Sequence, residues 1–289
     1  MSGALFRNEP ISQSLVPISC VIFTKNEEIN LPKCLKSLSW CDDIVVVDSF
    51  SSDRTLEIAT SAGARVFQHP FTGFGDSRNW ALEQVSFRHP WVLILDADEE
   101  VLPSLYQEMA ERVLRVPHEV AAFRVKRKFF FFGKWLKYSS LYPTWVVRLI
   151  RKDRVRYRNR GHAETEVIQG KVEALTHDLK DENLKGLEAW LDRQNRYSSQ
   201  EALHEFQEPG VRLWALWGRD PLKRREAIKS LSRKLPCRSW FFFLYNYVFR
   251  LGFLDGREGL AMSRMRAMYF QMIELKKWEL KKSQSGKPL

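Results

Sequence analysis

Asp96-Ala97-Asp98 sets two carboxylates two residues apart, directly after the apolar run Trp91-Val92-Leu93-Ile94-Leu95. Alternate residues point to one side only in a regular strand. At the turn that ends a strand, two carboxylates so spaced can converge on a hard divalent cation. Mg2+ or Mn2+ takes such oxygen ligands and completes its shell with water and phosphate oxygens. A local reading stands beside this one: Asp96 or Asp98 caps a helix starting near Pro103, with Glu99 and Glu100 favouring its positive end. Asp48 has a similar setting after Ile44-Val45-Val46-Val47. It can accept a hydrogen bond from a ring N–H, or it can cap a turn. Arg78, near the start of a helical stretch, offers a planar fork of donors suited to phosphate, or is simply a solvated helix residue.

Residues of these types act together only if the elements beneath them bring them together. Ile18–Phe23, Ile44–Val47, Ala64–Phe67 and Trp91–Leu95 read as short buried strands, the second almost entirely β-branched. Helical patterns fall between them, over about Leu31–Leu38, Arg54–Ala62 and Asp76 or Ser77 to Val85. Ser51-Ser52-Asp53 supplies cap chemistry for the second, Gly63 stops it, and Gly73-Phe74-Gly75 is expected to be a flexible loop. Strands with continuous apolar runs, alternating with helices, predict an α/β fold: a mostly parallel sheet covered on both faces. Ligands of such sheets bind beyond the carboxyl ends of the strands. Those ends carry Thr24–Glu27, Asp48 and Asp96–Asp98. Residues 120–177 contain alternating segments of β type, and 184–207 and 257–280 are helical in pattern.

The order and spacing of four blocks carry a family resemblance: Val-Ile-Phe-Thr-Lys-Asn-Glu-Glu from Val21, Ile-Val-Val-Val-Asp-Ser-Phe-Ser-Ser-Asp-Arg-Thr from Ile44, Gly-Phe-Gly-Asp-Ser-Arg-Asn-Trp-Ala-Leu from Gly73, and Trp-Val-Leu-Ile-Leu-Asp-Ala-Asp-Glu-Glu from Trp91. Over about residues 17–105 the chain resembles glycosyltransferase family 2. Tyr142-Pro143, Asn195-Arg196-Tyr197-Ser198 and Gly252-Phe253-Leu254-Asp255-Gly256 extend the likeness to the lipopolysaccharide-core branch, which is similar to β-1,4-glucosyltransferases acting on inner-core heptose. The resemblance implies a GT-A (Rossmann-like) fold and an inverting, metal-dependent transfer of a hexose, glucose first, from a UDP-sugar to a lipid-linked oligosaccharide acceptor. Carried over by position, Thr24, Asn26 and Glu27 line the nucleotide pocket. Asp48 accepts from the uracil ring, Arg78 faces the phosphates, and Asp96 and Asp98 hold the sugar and the metal. Such a transfer needs a carboxylate opposite the leaving diphosphate to take the acceptor's proton. Glu164, in Gly161-His162-Ala163-Glu164, matches the branch's His-Glu pair with one residue inserted and is the candidate base. His162 and His177 are candidates for metal or phosphate contacts. Ser49-Phe50 and Thr144 depart from the family pattern and weaken the acceptor assignments.

The remaining composition narrows the surroundings. The chain has 289 residues, 44% of them apolar and 28% charged, which excludes a disordered or disulfide-stapled class. Its formal net charge of +11 is uneven: residues 1–209 sum to −1 and the last 80 residues to +12. A basic segment implies an acidic partner. Trp240 through Phe249 is an aromatic run bracketed by Arg238 and Arg250, with Lys223-Arg224-Arg225 upstream, and is too short to span a bilayer. The expectation is a catalytic domain over 1–209 and a membrane-associating helical region over 210–289. In it Trp240, Phe241 and Phe242 meet the anionic inner face of a bacterial inner membrane, with Arg224 and Arg225. The alternative is a core helix packed on the catalytic domain. Phe129–Phe132 with Trp135 is placed near the acceptor's entry. Met1–Pro17 lacks the apolar run of a signal peptide, and Cys20, Cys34, Cys41 and Cys237 form no C-x-x-C pair. Buried, reduced thiols in a cytoplasmic protein are therefore expected. A polyprenyl-phosphate acceptor is a second enzymatic reading. A nucleic-acid-binding protein is a third, and it leaves the placement of Asp48, Asp96 and Asp98 unexplained.

Overall fold

A computed structural model describes residues 16–160, 163–207, 224 and 237–285. In the first hundred residues, β1 (Ile18–Thr24), β2 (Ile44–Asp48), β3 (Arg65–Gln68) and β4 (Trp91–Asp96) alternate with α1 (Leu31–Ser37), α2 (Thr55–Ser61) and α3 (Phe74–Gln84). There follow β5 (Glu99–Glu100), α4 (Pro103–Arg115), β6 (Val120–Phe131), β7 (Lys134–Trp135), β8 (Thr144–Arg151), β9 (Val155–Arg160), β10 (Ala163–Ile168), β11 (Lys171–Glu182) and α5 (Gly186–Gln207). Beyond them lie α6 (Arg238–Leu244), a π-helical turn (Tyr245–Phe249), a 3-10 turn (Gly252–Asp255) and α7 (Gly256–Gln284).

Nine strands form one sheet in the order β3-β2-β1-β4-β8-β6-β11-β5, with β7 paired to β6; β9 and β10 form a separate hairpin. From β3 to β4 every pairing is parallel. β8 then runs antiparallel between β4 and β6. The alternating segments after residue 120 thus extend the same sheet. Parallel strands buried on both faces need apolar residues at successive positions, and β1 supplies them. Ile18, Cys20 and Ile22 pack with Leu31, Leu105 and Met109 on one face, while Val21 packs with Val45, Leu82 and Ile94 on the other.

Two local expectations change. Gly73-Phe74-Gly75 is the ordered entry to α3: the Gly75 N–H donates to Asn159 Oδ1 at 2.8 Å, and a Cβ on either glycine would strike that side chain. Glu99 and Glu100 form β5, antiparallel to Lys180 and Asp181, instead of the first turn of α4. Of the cysteines, Cys20 and Cys34 are buried, Cys41 is half-buried and Cys237 is exposed.

The C-terminal helices join the sheet through polar clamps. Asp255 accepts from the backbone N–H groups of Lys137, Tyr138 and Ser139 and from the Ser139 hydroxyl, at 2.7–3.1 Å. Lys276 donates to Asn195, Ser198 and Ser199 on α5. The turn before α7 is tight: a Cβ on Gly259 would collide with the Gly252 carbonyl, so only glycine fits there.

Candidate functional site

β4 ends at the centre of the sheet, and its terminal residue Asp96 sits between two arginines. Arg148, on neighbouring β8, donates to Asp96 Oδ2 and to Glu99 Oε1, each at 2.5 Å. Arg78 approaches Asp96 Oδ1 at 3.5 Å. Both arginines are buried. Burial opposes ionisation of Asp96, but Arg148 and Arg78 outweigh it and hold the carboxyl at about 2. Glu99 responds the other way. Burial pushes it up to about 7 against the pull of Arg148, with repulsion from Asp96 adding to the rise. Asp98 lies one turn further on. Its Oδ2 accepts from Asn183 at 2.8 Å and lies 3.9 Å from Arg193, and its Oδ1 takes no hydrogen bond among the described residues. Asp181 is buried, with Arg127 at 3.2 Å; burial first, then repulsion from Asp98, pushes its carboxyl well above the usual range. Neither Asp96 nor Asp98 caps α4, whose first residue follows Leu102.

The hairpin brings in Glu164. Asn159 bonds Gly75 and Asp76, and Asn79 bonds the Tyr157 backbone in both directions, so β9 and β10 lie along α3. Glu164 on β10 then pairs with Arg78 Nη1, making Arg78 a bridge between Glu164 and Asp96. The Arg78 guanidinium also stands over the Tyr157 ring at 5.4 Å. Two hydroxyls here, Ser77 Oγ and Tyr157 Oη, are buried without a partner among the described residues.

On the β1–β2 rim, Asp48 is fully buried. Its oxygens accept from Thr24 Oγ1 at 2.8 Å, the Ser51 N–H at 2.8 Å and the Ser51 hydroxyl at 2.5 Å. Asp48 therefore clamps the turn after β2 and does not present an open carboxylate for a ring N–H. Asn26, in the left-handed region at φ 54°, accepts from the Ser52 N–H at 2.8 Å. Glu27 pairs with Lys185 at 2.5 Å and Asn30 at 2.8 Å, and burial nevertheless pushes its carboxyl up. Thr24, Asn26, Glu27, Arg78, Asp96, Asp98 and Glu164 thus share the carboxyl-end rim of the parallel strands.

His177 does not join them. His177 faces α4, where its ring lies 2.8 Å from Glu108. Burial works against that carboxylate, but bonds from Thr176 and His177 hold it down at about 2. His177 belongs to this structural knot and not to the aspartate turn. His162 lies outside the described residues. Among the described residues no group of three His, Cys, Asp or Glu side chains is placed to cage a metal.

Sequence reasoning missed Arg148, Arg127, Glu99, Asp181 and Asn183. A signal for Arg148 exists: it interrupts the apolar run Val146-Val147-Arg148-Leu149-Ile150, and a charge inside a buried strand needs a partner.

The glycosyl transferase family 2 model matches residues 19–173, more than half of the chain. The lipopolysaccharide core biosynthesis glycosyltransferase LpsC of Rhizobium meliloti (strain 1021) is 35% identical over 147 residues, covering 49% of this chain and 53% of LpsC. An uncharacterized glycosyltransferase of Rickettsia bellii (strain RML369-C) is 37% identical over 93 residues, covering 32% of this chain and 31% of that protein. The chain thus aligns with about half or less of these curated relatives. Among solved structures, S. aureus TarS 1–349 in complex with UDP-GlcNAc aligns over 93% of this chain and 92% of that chain, at 15% identity and a TM-score of 0.43. With the family model spanning both the parallel strands and the arginine-bound aspartate turn, the chain belongs to glycosyl transferase family 2.

Proposed function

We propose that this enzyme moves a hexose, glucose first among candidates, from a UDP-sugar to a lipid-linked saccharide of lipopolysaccharide-core type, with inversion at C1. One observation carries the reading: at the carboxyl ends of the parallel strands, Arg78 joins the Asp96 carboxylate to Glu164 while Asp98 keeps an oxygen free. The acceptor class follows from the likeness to LpsC, whose name assigns it to lipopolysaccharide core biosynthesis.

Asp98 suits a metal shared with the donor. Mg2+ or Mn2+ needs only one or two carboxylates when substrate phosphates supply the other ligands. Asp98 has the free Oδ1; Asp96 is already held by two arginines and is better placed to orient the sugar. When bound, the ion would neutralise charge on the departing diphosphate. The clamped loops bearing Thr24, Asn26 and Glu27 form the rim over which the nucleotide lies, with Asp48 as the brace beneath. Arg78 is shared between two carboxylates, and a diphosphate arriving beside Asp96 competes for its guanidinium. Release of Glu164 from Arg78 leaves that carboxylate free to take the acceptor hydroxyl's proton as the new bond forms at C1.

Glu164→Gln tests this assignment. Transfer is expected to fall by about 10²–10⁴-fold, the usual worth of a general base, while UDP affinity measured by calorimetry stays within about twofold. A Glu164→Gln enzyme of ordinary rate would move the base to another carboxylate, with Asp181 the next to replace.

The C-terminal region is proposed as the part that meets the membrane. No helix among the described residues is long and apolar enough to cross one. Side chains that lipid could cover are nonetheless abundant. Phe249 is 76% exposed, Trp240 61%, and Phe241, Phe253 and Leu254 about half. Phe132, 70% exposed, lies at the tip of the β6–β7 hairpin. That tip is tied to the same surface by Lys134, which donates to the Asp255 carbonyl at 2.7 Å and lies 3.1 Å from Glu258. The Phe129–Phe132 cluster therefore belongs beside the C-terminal aromatics. Phe242 turns inward onto Phe270 at 4.4 Å and is not part of the exposed face. Arg224 is exposed and Arg225 lies outside the described residues. Burying one such aromatic is worth roughly 1.5–3 kcal/mol. Trp240→Ser with Phe249→Ser should therefore weaken flotation with phosphatidylglycerol vesicles by about a hundredfold, more than 0.5 M salt does. Unchanged flotation of that double variant would remove this surface from the membrane.

A further inference from the structure

β6 outruns the strand that carries the aspartate turn. Leu93 of β4 and Phe123 of β6 both pair with Leu149 of β8, so they lie at one level and their strands run in one direction. β4 ends at Asp96, whereas β6 continues to Phe131. At about 3.3 Å per residue, β6 extends about 16 Å beyond the aspartate turn. It does so on the side of β4 away from the β1–β2 rim.

Alternate residues of a strand share a face, so Arg124, Lys126 and Lys128 stand in a row. Theirs is the face that carries Glu164. Val147, opposite Arg124, packs against the cluster that includes Ala122, Leu82 and Tyr157. Leu82 belongs to α3, as Arg78 does, and Tyr157 to β9, which pairs with the strand of Glu164.

Aromatic rings alternate with these cations. The Arg124 guanidinium stands over the Trp145 ring at 4.9 Å, and Lys126 Nζ lies 5.9 Å from the same ring. Lys128 Nζ lies 4.2 Å from the Trp135 ring, which Tyr142 meets edge-on at 5.4 Å. Arg124 and Lys128 make no hydrogen bond or ion pair among the described residues. Lys126 lies 3.6 Å from Asp178, a carboxylate that already accepts from the Tyr142 hydroxyl at 2.9 Å. Further out on this face Lys180 and Glu182 pair with each other at 2.9 Å. Three cations therefore face one shared carboxylate.

Charge complementarity calls for an occupant with several negative groups along its length. The rings refine that choice. A sugar ring has an apolar face that an aromatic side chain covers, while acidic substituents on it suit the flanking cations. Single-stranded nucleic acid instead stacks successive bases on free ring faces. Here Lys128 occupies a face of Trp135, and of the two tryptophans only Trp145 is exposed.

We propose that Arg124, Lys126 and Lys128, with Trp145, form a docking track for an acidic saccharide, the portion of the acceptor that bears carboxylate or phosphate groups. Binding of an acidic saccharide stands on the row of cations and rings; its identity as the acceptor rests on the glycosyl-transfer reading.

The full-length protein is titrated calorimetrically with tetragalacturonate, with neutral maltotetraose and with a thymidine tetranucleotide, at constant ionic strength, with and without saturating UDP and Mg2+. Tetragalacturonate is expected to bind in both conditions, and the other two more weakly by about tenfold or more. Arg124→Gln with Lys128→Gln strands no carboxylate, so its melting temperature should hold while tetragalacturonate binding falls about tenfold, the scale of two exposed charge contacts. Asp178→Asn keeps an oxygen for Tyr142 and frees Lys126, and should tighten binding about threefold. A fold defect does not produce that opposite sign. Lys36→Gln with Arg115→Gln removes two exposed charges from α1 and α4, which pack on the other face, and should stay within about twofold of the wild type.

No measurable binding of millimolar tetragalacturonate overturns the track, as does equal affinity for maltotetraose or an equal loss in the Lys36 and Arg115 variant. Tighter binding of the tetranucleotide, lost in the Arg124 and Lys128 variant, gives the face to nucleic acid. Unchanged tetragalacturonate binding by that variant, with weaker flotation on phosphatidylglycerol vesicles, gives it to lipid headgroups. Displacement of tetragalacturonate by UDP, with about tenfold weaker UDP binding by the variant, gives the cations to the donor's diphosphate. Failure of the wild type to bind UDP overturns the acceptor assignment together with the glycosyl-transfer reading, while the saccharide arms still decide the track itself.

Discussion

Asp98→Asn is expected to reduce sugar transfer by about 10³-fold, in the range lost when a charge aimed at a developing oxyanion or its metal is removed. The substitution keeps size, shape and one carbonyl oxygen, and removes only the negative charge. The fold should tolerate it. Asp98 is partly exposed, and its one close hydrogen bond is to the neutral amide of Asn183 at 2.8 Å. Thermal stability should therefore move by less than about 1 kcal/mol, the scale of one hydrogen bond. The two readouts separate a lost charge from a lost fold: diphosphate release collapses while the melting temperature holds. UDP binding in the presence of Mn2+ should weaken in parallel, and UDP binding in the presence of EDTA should not. Transfer within tenfold of the wild type would take the metal role from Asp98.

Arg148→Met is expected to be the most destabilising single change in the site. It strands Asp96 and Glu99, the second of them almost wholly buried, without the cation that both contact at 2.5 Å. Removing one partner of a buried ion pair costs about 3–5 kcal/mol. The cost should depend on pH in a defined direction. In the wild type Asp96 is held at about 2, so its contribution is present above the ordinary aspartate range and is lost as pH falls through 2. Glu99 is raised to about 7, so its contribution is present below the ordinary glutamate range and is lost as pH rises through 7. Without Arg148 both carboxylates favour the protonated form. The defect should be largest near pH 8 and should shrink toward pH 5. Urea melts of the two proteins at those pH values measure it. A defect that is flat with pH would mean that Arg148 is held by packing and not by charge.

The parallel half of the fold was legible because its information is local. A β-branched run such as Ile44–Val47 has few alternatives to a buried strand, Gly63 stands two residues past the last residue of α2, and Pro103 opens α4. Asp96 and Asp98 were legible for the same reason, since chain position alone puts them at the tip of a strand. Arg148 was not, because its partnership depends on β8 inserting antiparallel between β4 and β6, a pairing made across more than fifty residues. Asp181 and Arg127 meet by a similarly distant register. Asp48 shows a different gap. Its carboxylate was visible, but a serine three residues on can fold back and consume it, and strand-end position does not distinguish the two outcomes. His177 was drawn toward the metal by residue type. Its actual partner, Glu108, sits on a helix whose packing the sequence does not announce.

Asp255 has a mechanical consequence. Three amides and a hydroxyl converge on one carboxylate, so the aromatic knuckle cannot swivel about the sheet that carries the cleft. On a bilayer, that rigidity would keep the mouth of the cleft at a set height above the lipid plane. The enzyme would then act as a gauge: it would choose, among chemically equal hydroxyls, the one whose distance from the anchor matches that height, and lengthening the acceptor by a sugar would spoil it as thoroughly as changing the sugar.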